Sequence, residues 1–289
     1  MHFAKLHGLG NDFVLVDLRK SLEPSLLSEG HGPAFAREVC DRHRGIGADG
    51  VLSLLPATPA EASAASLTGA RATARLVIHN PDGSRPEMCG NGARVAALWM
   101  ATVGCTRPSA PGESVLLLTD AGPRPCVVTA AQPGLGEVEV GMGRPQLSAG
   151  LDLPLPDGMA KAIPVSMGNP HRVFFFAPAP PRDLLSLARS EGPALCAAQD
   201  ANIEFALQLG PARFRAVVWE RGAGLTQACG TGACAVAAAA VAQGLASGDA
   251  PITVELPGGP LVLRFVEGEL RMRGPAQLVF AGELPGPGR

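Results

Sequence analysis

One short device occurs twice in this chain: CGNGARVAA beginning at Cys89 and CGTGACAVAA beginning at Cys229. Each is a Cys-Gly-polar-Gly turn running into an Ala-rich stretch, which predicts helices over 92–103 and 232–245, the second stopping at Gly244 or Gly248. Packing alone gives no reason to place the same turn before two helices. The repeat therefore predicts two pseudo-equivalent domains, each a sheet wrapped around one central helix, facing each other across a cleft.

Around these helices, short alternating runs bounded by Gly, Pro and Asp recur at 13–17, 51–55, 75–79, 114–119 and 126–129. They resume at 137–140, 171–176, 213–218, 252–256, 261–266 and 277–280. Such spacing predicts mostly antiparallel sheet. A further helix is expected over 183–196, and surface loops over 56–71 and 106–113. The expected fold class is α+β: two pseudo-symmetric domains, each a mostly antiparallel sheet around a central helix. A length of 289 residues suits two domains of ordinary size.

With 46% hydrophobic and 17% charged residues the chain is globular rather than disordered. A net charge of −2 offers no electrostatic reason for a nucleic-acid partner. No apolar run approaches the roughly 18 residues of a spanning helix, so no membrane is expected. The N-terminus enters patterned sequence directly, without a signal peptide. Seven cysteines without a C-x-x-C pair argue against a disulfide framework and against a structural zinc site. The expected compartment is the cytoplasm, with reduced thiols; Cys40, Cys105, Cys126, Cys196 and Cys234 lack the Gly-rich context and are assigned to packing.

A helix N-terminus presents unpaired N–H groups and a partial positive charge. A Cys there is expected to have its thiol drawn down from about 8.5 toward neutrality, and the same N–H groups can hold a carboxylate. Two such ends supply two thiols and two anion cradles. Inverting a carbon beside a carboxylate needs that set: one group removes a proton, the other delivers one to the opposite face. Cys89 and Cys229 are the candidate acid and base.

The chain resembles the diaminopimelate epimerase family over nearly its whole length. The matching blocks are HGLGNDF (7–13), DRHRGIGADG (41–50), NPDGSRPEMCGNGAR (80–94), SMGNPH (166–171), NIEF (202–205), ERGAG (220–224) and ACGTGACA (228–235). The resemblance implies that each sheet is β-barrel-like, that the active site lies in the cleft between domains over 1–131 and 132–274, and that a last strand in 275–289 returns to the first. It implies interconversion of L,L- and meso-diaminopimelate without pyridoxal phosphate, metal or other cofactor, in lysine and peptidoglycan precursor synthesis. The small-molecule substrate would be the only ligand and the enzyme a homodimer. By the same resemblance Gly90, Asn91, Gly230 and Thr231 cradle the reacting carboxylate. Asn11, Asn80, Asn169, Asn202 and Arg221 grip the substrate, chiefly at its distal end, while Glu220 and His171 stand beside the reacting centre. A bidentate Arg221 suits a distal carboxylate. Asp49 is taken as a turn residue. One departure is Leu225, where the family usually carries Glu. Competing readings are a proline or hydroxyproline racemase, a phosphate- or nucleotide-binding module, and a non-catalytic homologue.

Overall fold

The computed structural model describes residues 1–20, 31–66, 69–70, 72–103, 112, 114–132, 134–155, 158–176 and 183–284. The chain divides into two compact units: Met1–Val140 with Gly274–Arg289, and Gly141–Arg273.

In the first unit β1 (His2–Gly8) and β2 (Asn11–Asp17) form a hairpin. Leu9 and Gly10 in its turn both have positive φ, 58° and 84°, the geometry that suits a tight hairpin between right-twisted strands. Helix α1 (Gly32–Val39) precedes β3 (Val51–Pro56), which runs parallel to β2. Helix α2 (Pro59–Ser66) leads into β4 (Ala72–His79), antiparallel to β3. Helix α3 (Gly90–Thr102) crosses to β5 (Ser114–Thr119), parallel to β4. Strands β6 (Gly122–Gln132) and β7 (Leu135–Gly143) continue antiparallel.

In the second unit β8 (Gln146–Leu147) and β9 (Leu151–Leu155) flank β10 (Gly158–Ser166), which pairs antiparallel with β11 (Pro170–Phe176). Helix α4 (Leu184–Gln199) crosses to β12 (Asn202–Gly210), parallel to β11; β13 (Arg213–Glu220) follows antiparallel, with the short β14 (Gly224–Leu225). Helix α5 (Gly230–Ala242) crosses to β15 (Ile252–Leu256), parallel to β13, and β16 (Gly259–Val266) and β17 (Glu269–Glu283) close the series. From Gly274 onward β17 belongs to the first unit, where it pairs with β1; its further pairing with β7 closes that unit's ring of strands.

Both units thus follow one order: antiparallel, parallel, antiparallel, parallel, antiparallel, antiparallel. Each parallel pair is joined through a helix, as parallel strands require a crossover. The duplication seen in the two Cys-Gly turns extends through the whole topology.

Helices α3 and α5 are enclosed by their sheets. Every residue of α5 from Gly232 to Ala240 is buried, and an all-round apolar helix belongs inside a core. Its Ala and Val side chains are small, so the strands can close tightly around it. Helix α4 covers the other face of β12 and β13, where Leu187, Leu195, Phe174 and Phe205 form an apolar cluster. No helix among the described residues is long and apolar enough to cross a membrane.

Each strand expected from the sequence lies within an observed strand. Helices α3 and α5 begin at Gly90 and Gly230, two residues before the expected starts, because the cysteines themselves are the N-caps. The expected loop at 56–71 is corrected: it contains α2. Thr58 and Glu61 explain this, since the Thr58 hydroxyl accepts the Glu61 N–H at 3.3 Å and the Glu61 carboxylate accepts the Thr58 N–H at 2.9 Å. That reciprocal capping box, with Pro59 in the first turn, starts a helix that the Ala run then carries. Helix α1 was also not expected. Of the loop expected at 106–113, all but Gly112 lies outside the described residues, as does Cys105.

Candidate active site

In the first unit Cys89 caps α3 in extended conformation, φ −138° and ψ 119°, and its Sγ accepts the Gly92 N–H at 3.4 Å. Asn11, at the end of the β1–β2 turn, places Oδ1 4.0 Å from that sulfur. The same oxygen accepts from Asn91 Nδ2 at 3.0 Å, while Asn11 Nδ2 donates to Asp49 Oδ2 at 3.0 Å. An amide whose N–H2 end is held by a carboxylate must aim its carbonyl the other way. Asp49 therefore fixes which end of Asn11 meets the thiol.

Asp49 belongs to a charged network with Asp12, Arg42 and Lys5. Lys5 Nζ lies 2.5 Å from Asp12 Oδ2, and Arg42 reaches both Asp12 and Asp49, at 2.8 and 2.7 Å. Burial raises the Asp12 pKa, but hydrogen bonds from Arg42 and Lys5 outweigh it and hold the carboxyl down at about 2.

In the second unit Cys229 caps α5 in the same way, φ −114° and ψ 108°, with Sγ accepting the Gly232 N–H at 3.3 Å. Its surroundings differ. Sγ lies 3.5 Å from Thr231 Oγ1, which accepts from Asn169 Nδ2 at 3.4 Å. Asn169 Oδ1 is 3.0 Å from His171 Nε2, and His171 Nδ1 is 2.7 Å from Glu204 Oε1. Glu220 accepts a hydrogen bond from Thr226 and contacts the thiol. Gly232 makes room for all this: a Cβ there would stand 3.0 Å from Glu204 Oε1 and 3.2 Å from Cys229 Sγ.

Electrostatics correct one expectation. The Cys229 thiol is not drawn toward neutrality; its pKa is pushed well up, first by burial and then by Glu220 and Glu204, with Thr231 and the Gly232 N–H opposing. Burial also pushes up Glu220 and Glu204, the latter against the pull of His171. A helix terminus contributes a fraction of a charge, which complete burial beside two carboxyls overrides. Cys40 and Cys196 are likewise raised by burial, Cys40 to about 11.

The structure joins Asn11 and Asn91 to Cys89, and Asn169, His171, Glu220 and Thr231 to Cys229. Gly90 and Gly230 form the first residues of the two helices. Asn80 is held in a turn, with Nδ2 donating to Ser84 Oγ at 2.9 Å. Asn202 Oδ1 accepts the Arg221 N–H at 2.8 Å, and Arg221 Nη1 lies 3.0 Å from Asp200 Oδ1. Leu225 packs with Trp219 against the apolar cluster under α4, so the carboxyls near Cys229 are Glu220 and Glu204. Two residues were given no place in the site from sequence: Asp49, read as a turn residue, and Glu204. For Glu204 a signal exists, a charge on a strand whose Ile203 and Phe205 are apolar and whose start is fully buried. Asp49 sits in a Gly-rich stretch where a turn role explains it equally well.

The duplicated unit carries a thiol-capped central helix in each half. Among solved structures the fold matches a hydroxyproline epimerase from Agrobacterium vitis, 15% identical with a TM-score of 0.69 over 98% of this chain and 91% of that one. It also matches a phenazine biosynthesis protein of the PhzF family from Bacillus anthracis, 15% identical with a TM-score of 0.63 over 99% of both. The Diaminopimelate epimerase family model matches residues 3–148 and again 163–279. Proteins named diaminopimelate epimerase from Synechocystis sp. and Pelotomaculum thermopropionicum are 43% and 37% identical, covering 98% and 99% of each chain. The chain belongs to the diaminopimelate epimerase family.

Proposed function

We propose that this enzyme interconverts L,L- and meso-diaminopimelate, using Cys89 and Cys229 as the two proton carriers at one α-carbon. The observation that carries this is the matched pair of thiol-capped helix starts, in a chain whose full-length relatives bear that name. In one direction the Cys89 thiolate takes the α-proton, and the Cys229 thiol gives its own proton to the opposite face. The C–H bond broken on one side is replaced on the other, and the two sulfurs exchange protonation states. Burial favours Cys229 as the resting proton donor. Negative charge developing on the carboxylate would meet the N–H groups of Gly90, Asn91, Gly230 and Thr231, already oriented by the helices. Asn11, Asn169 and His171 would position the reacting end, with Glu220 beside Cys229. Asn80, Asn202 and Arg221 would hold the distal end. No cofactor enters this scheme. The family resemblance further suggests a homodimer working in the cytoplasm.

The test is purified protein with L,L-diaminopimelate in heavy water. Formation of meso product with solvent deuterium at the α-carbon is expected. Cys89→Ala and Cys229→Ala should each abolish net epimerisation while keeping the parent circular dichroism. Near-normal epimerisation by either variant overturns the two-thiol scheme.

A further inference from the structure

Glu204 lies on the face of β12 opposite the α4 cluster, directed at the start of α5. It is completely buried, and one of its oxygens, Oε2, has no hydrogen-bond partner. A buried carboxyl in this position is costly unless something nearby neutralises it. Oε1 lies 2.7 Å from His171 Nδ1, the backbone N–H groups of Arg172 and Glu204 add a smaller pull on the carboxyl, and His171 is equally buried.

The chain of contacts beyond the pair constrains where its protons sit. Asn169 Oδ1, an acceptor, is 3.0 Å from His171 Nε2, so Nε2 carries hydrogen. Nδ1 and Glu204 Oε1 then share a second hydrogen, on whichever side it resides, and the pair is neutral overall. With Oδ1 so engaged, Asn169 Nδ2 donates to Thr231 Oγ1. The Thr231 hydroxyl, already accepting, is free to donate to Cys229 Sγ at 3.5 Å.

We propose that Glu204 is a positioning residue for the second thiol: paired with His171, it retains the proton that orients Asn169 and so turns the Thr231 hydroxyl hydrogen toward Cys229. Removing one proton from the pair leaves Nε2 bare against Asn169 Oδ1. The amide then turns over so that Nδ2 donates to Nε2. Its carbonyl now faces Thr231, which turns its hydrogen away from the sulfur. The thiolate formed during each turnover loses a donor and gains a neighbouring negative charge. The titratable groups facing Cys229 from the packed strands are His171 on β11, Glu204 on β12 and Glu220 on β13.

The test rests on the epimerase assignment for its kinetics but has a readout independent of it. Nitrogen-15 spectra of the histidine rings in the unaltered protein, with His171 assigned by its loss in His171→Asn, should show Nε2 bearing hydrogen. A bare Nε2 on His171 overturns the proposal whatever the enzyme's substrate. In Glu204→Gln the side-chain amide can still donate to Nδ1 and leave hydrogen on Nε2, but it carries no proton to lose; in Glu204→Leu nothing fixes that arrangement. Loss of one hydrogen bond to a charged sulfur predicts a fall in kcat of roughly tenfold to a hundredfold for Glu204→Leu, with KM little changed; Glu204→Gln should recover most of that rate and lose the alkaline limb of the kcat profile. A Glu204→Gln enzyme with the parent pH profile refutes the positioning role while leaving the two-thiol reaction standing. An unaltered protein inert toward diaminopimelate, yet showing hydrogen on His171 Nε2, refutes only the substrate.

Discussion

Replacing Asp12 by Asn tests how the first unit holds Asn11 in place. Asp12 takes charge from Lys5 and Arg42, and its side chain is only 17% exposed. Its pKa falls from an ordinary 3.8 to about 2. At about 1.4 kcal/mol per decade, the lowering is worth about 2 kcal/mol of folding stability at neutral pH. The sign follows from proton counts. Between pH 2 and 3.8 the unfolded chain binds more protons than the folded one, so this stability is present above that window and lost as pH falls through it. Asp12→Asn should therefore cost about 2 kcal/mol at pH 7, and more to the extent that the nearly buried Lys5 is left unpaired. It should also flatten the acid limb below pH 4. The chain has two tryptophans. A Trp219→Phe background leaves Trp99, whose indole donates to Asp17 in the first unit, as the reporter for urea unfolding from pH 2 to 7. A variant within about 0.5 kcal/mol of its background at pH 7, or one with the same acid slope, refutes the account.

Other outcomes follow from the same geometry. Arg221→Lys should raise KM roughly tenfold by losing a bidentate fork, yet leave stability within about 1 kcal/mol, since its pair with Asp200 is exposed; unchanged KM would remove Arg221 from the substrate. Gly232→Ala crowds Glu204 and Cys229 and should cost about 1–3 kcal/mol with near-complete loss of turnover, checked by urea titration and the exchange assay. Glu220, raised by burial, favours the folded state while protonated, so stability should decline as pH rises above the ordinary 4.5. Glu220→Gln should make that decline shallower, and an equal or steeper one would contradict the assignment. Under limiting iodoacetamide Cys89, the one described cysteine that is not buried, should be alkylated first, as read by peptide mapping; prior labelling of Cys229 would contradict its resting as a buried thiol.

The fold was largely legible because its two central helices announce themselves chemically. A Cys-Gly-polar-Gly turn before an Ala run has one structural consequence, and its recurrence implied the duplicated topology before any strand was placed. The strands were read from alternation, which is strong where one face is apolar. Alternation failed at β12, where Asn202 and Glu204 are as buried as Ile203 and Phe205 because helices cover both faces. Helix α2 was missed because its signal is a pair, Thr58 and Glu61, rather than a composition. The two cysteines at the helix starts were legible in the sequence, but the acidity of Cys229 was judged from its helix end alone. Burial and the two carboxyls that set its direction come from β12 and β13, distant in the chain.

That difference separates two halves that share one backbone plan. Both thiols cap a central helix, both accept an N–H from the third residue beyond, and both have an Asn from the preceding strand region linked to the polar residue of the turn: Asn11 to Asn91, Asn169 to Thr231. Behind Asn11 stands Asp49, tied to Arg42 near the surface. Behind Asn169 stands His171 with a buried Glu204. In the proposed reaction each thiol would serve as acid and as base, so equal scaffolds would be an advantage. That reaction would also need one thiol protonated and the other not at the start of each turnover, and two equal environments would not hold that difference. Under the proposal the duplicated scaffold would supply the symmetry of the reaction, and the unequal groups behind each Asn the difference in protonation between the thiols.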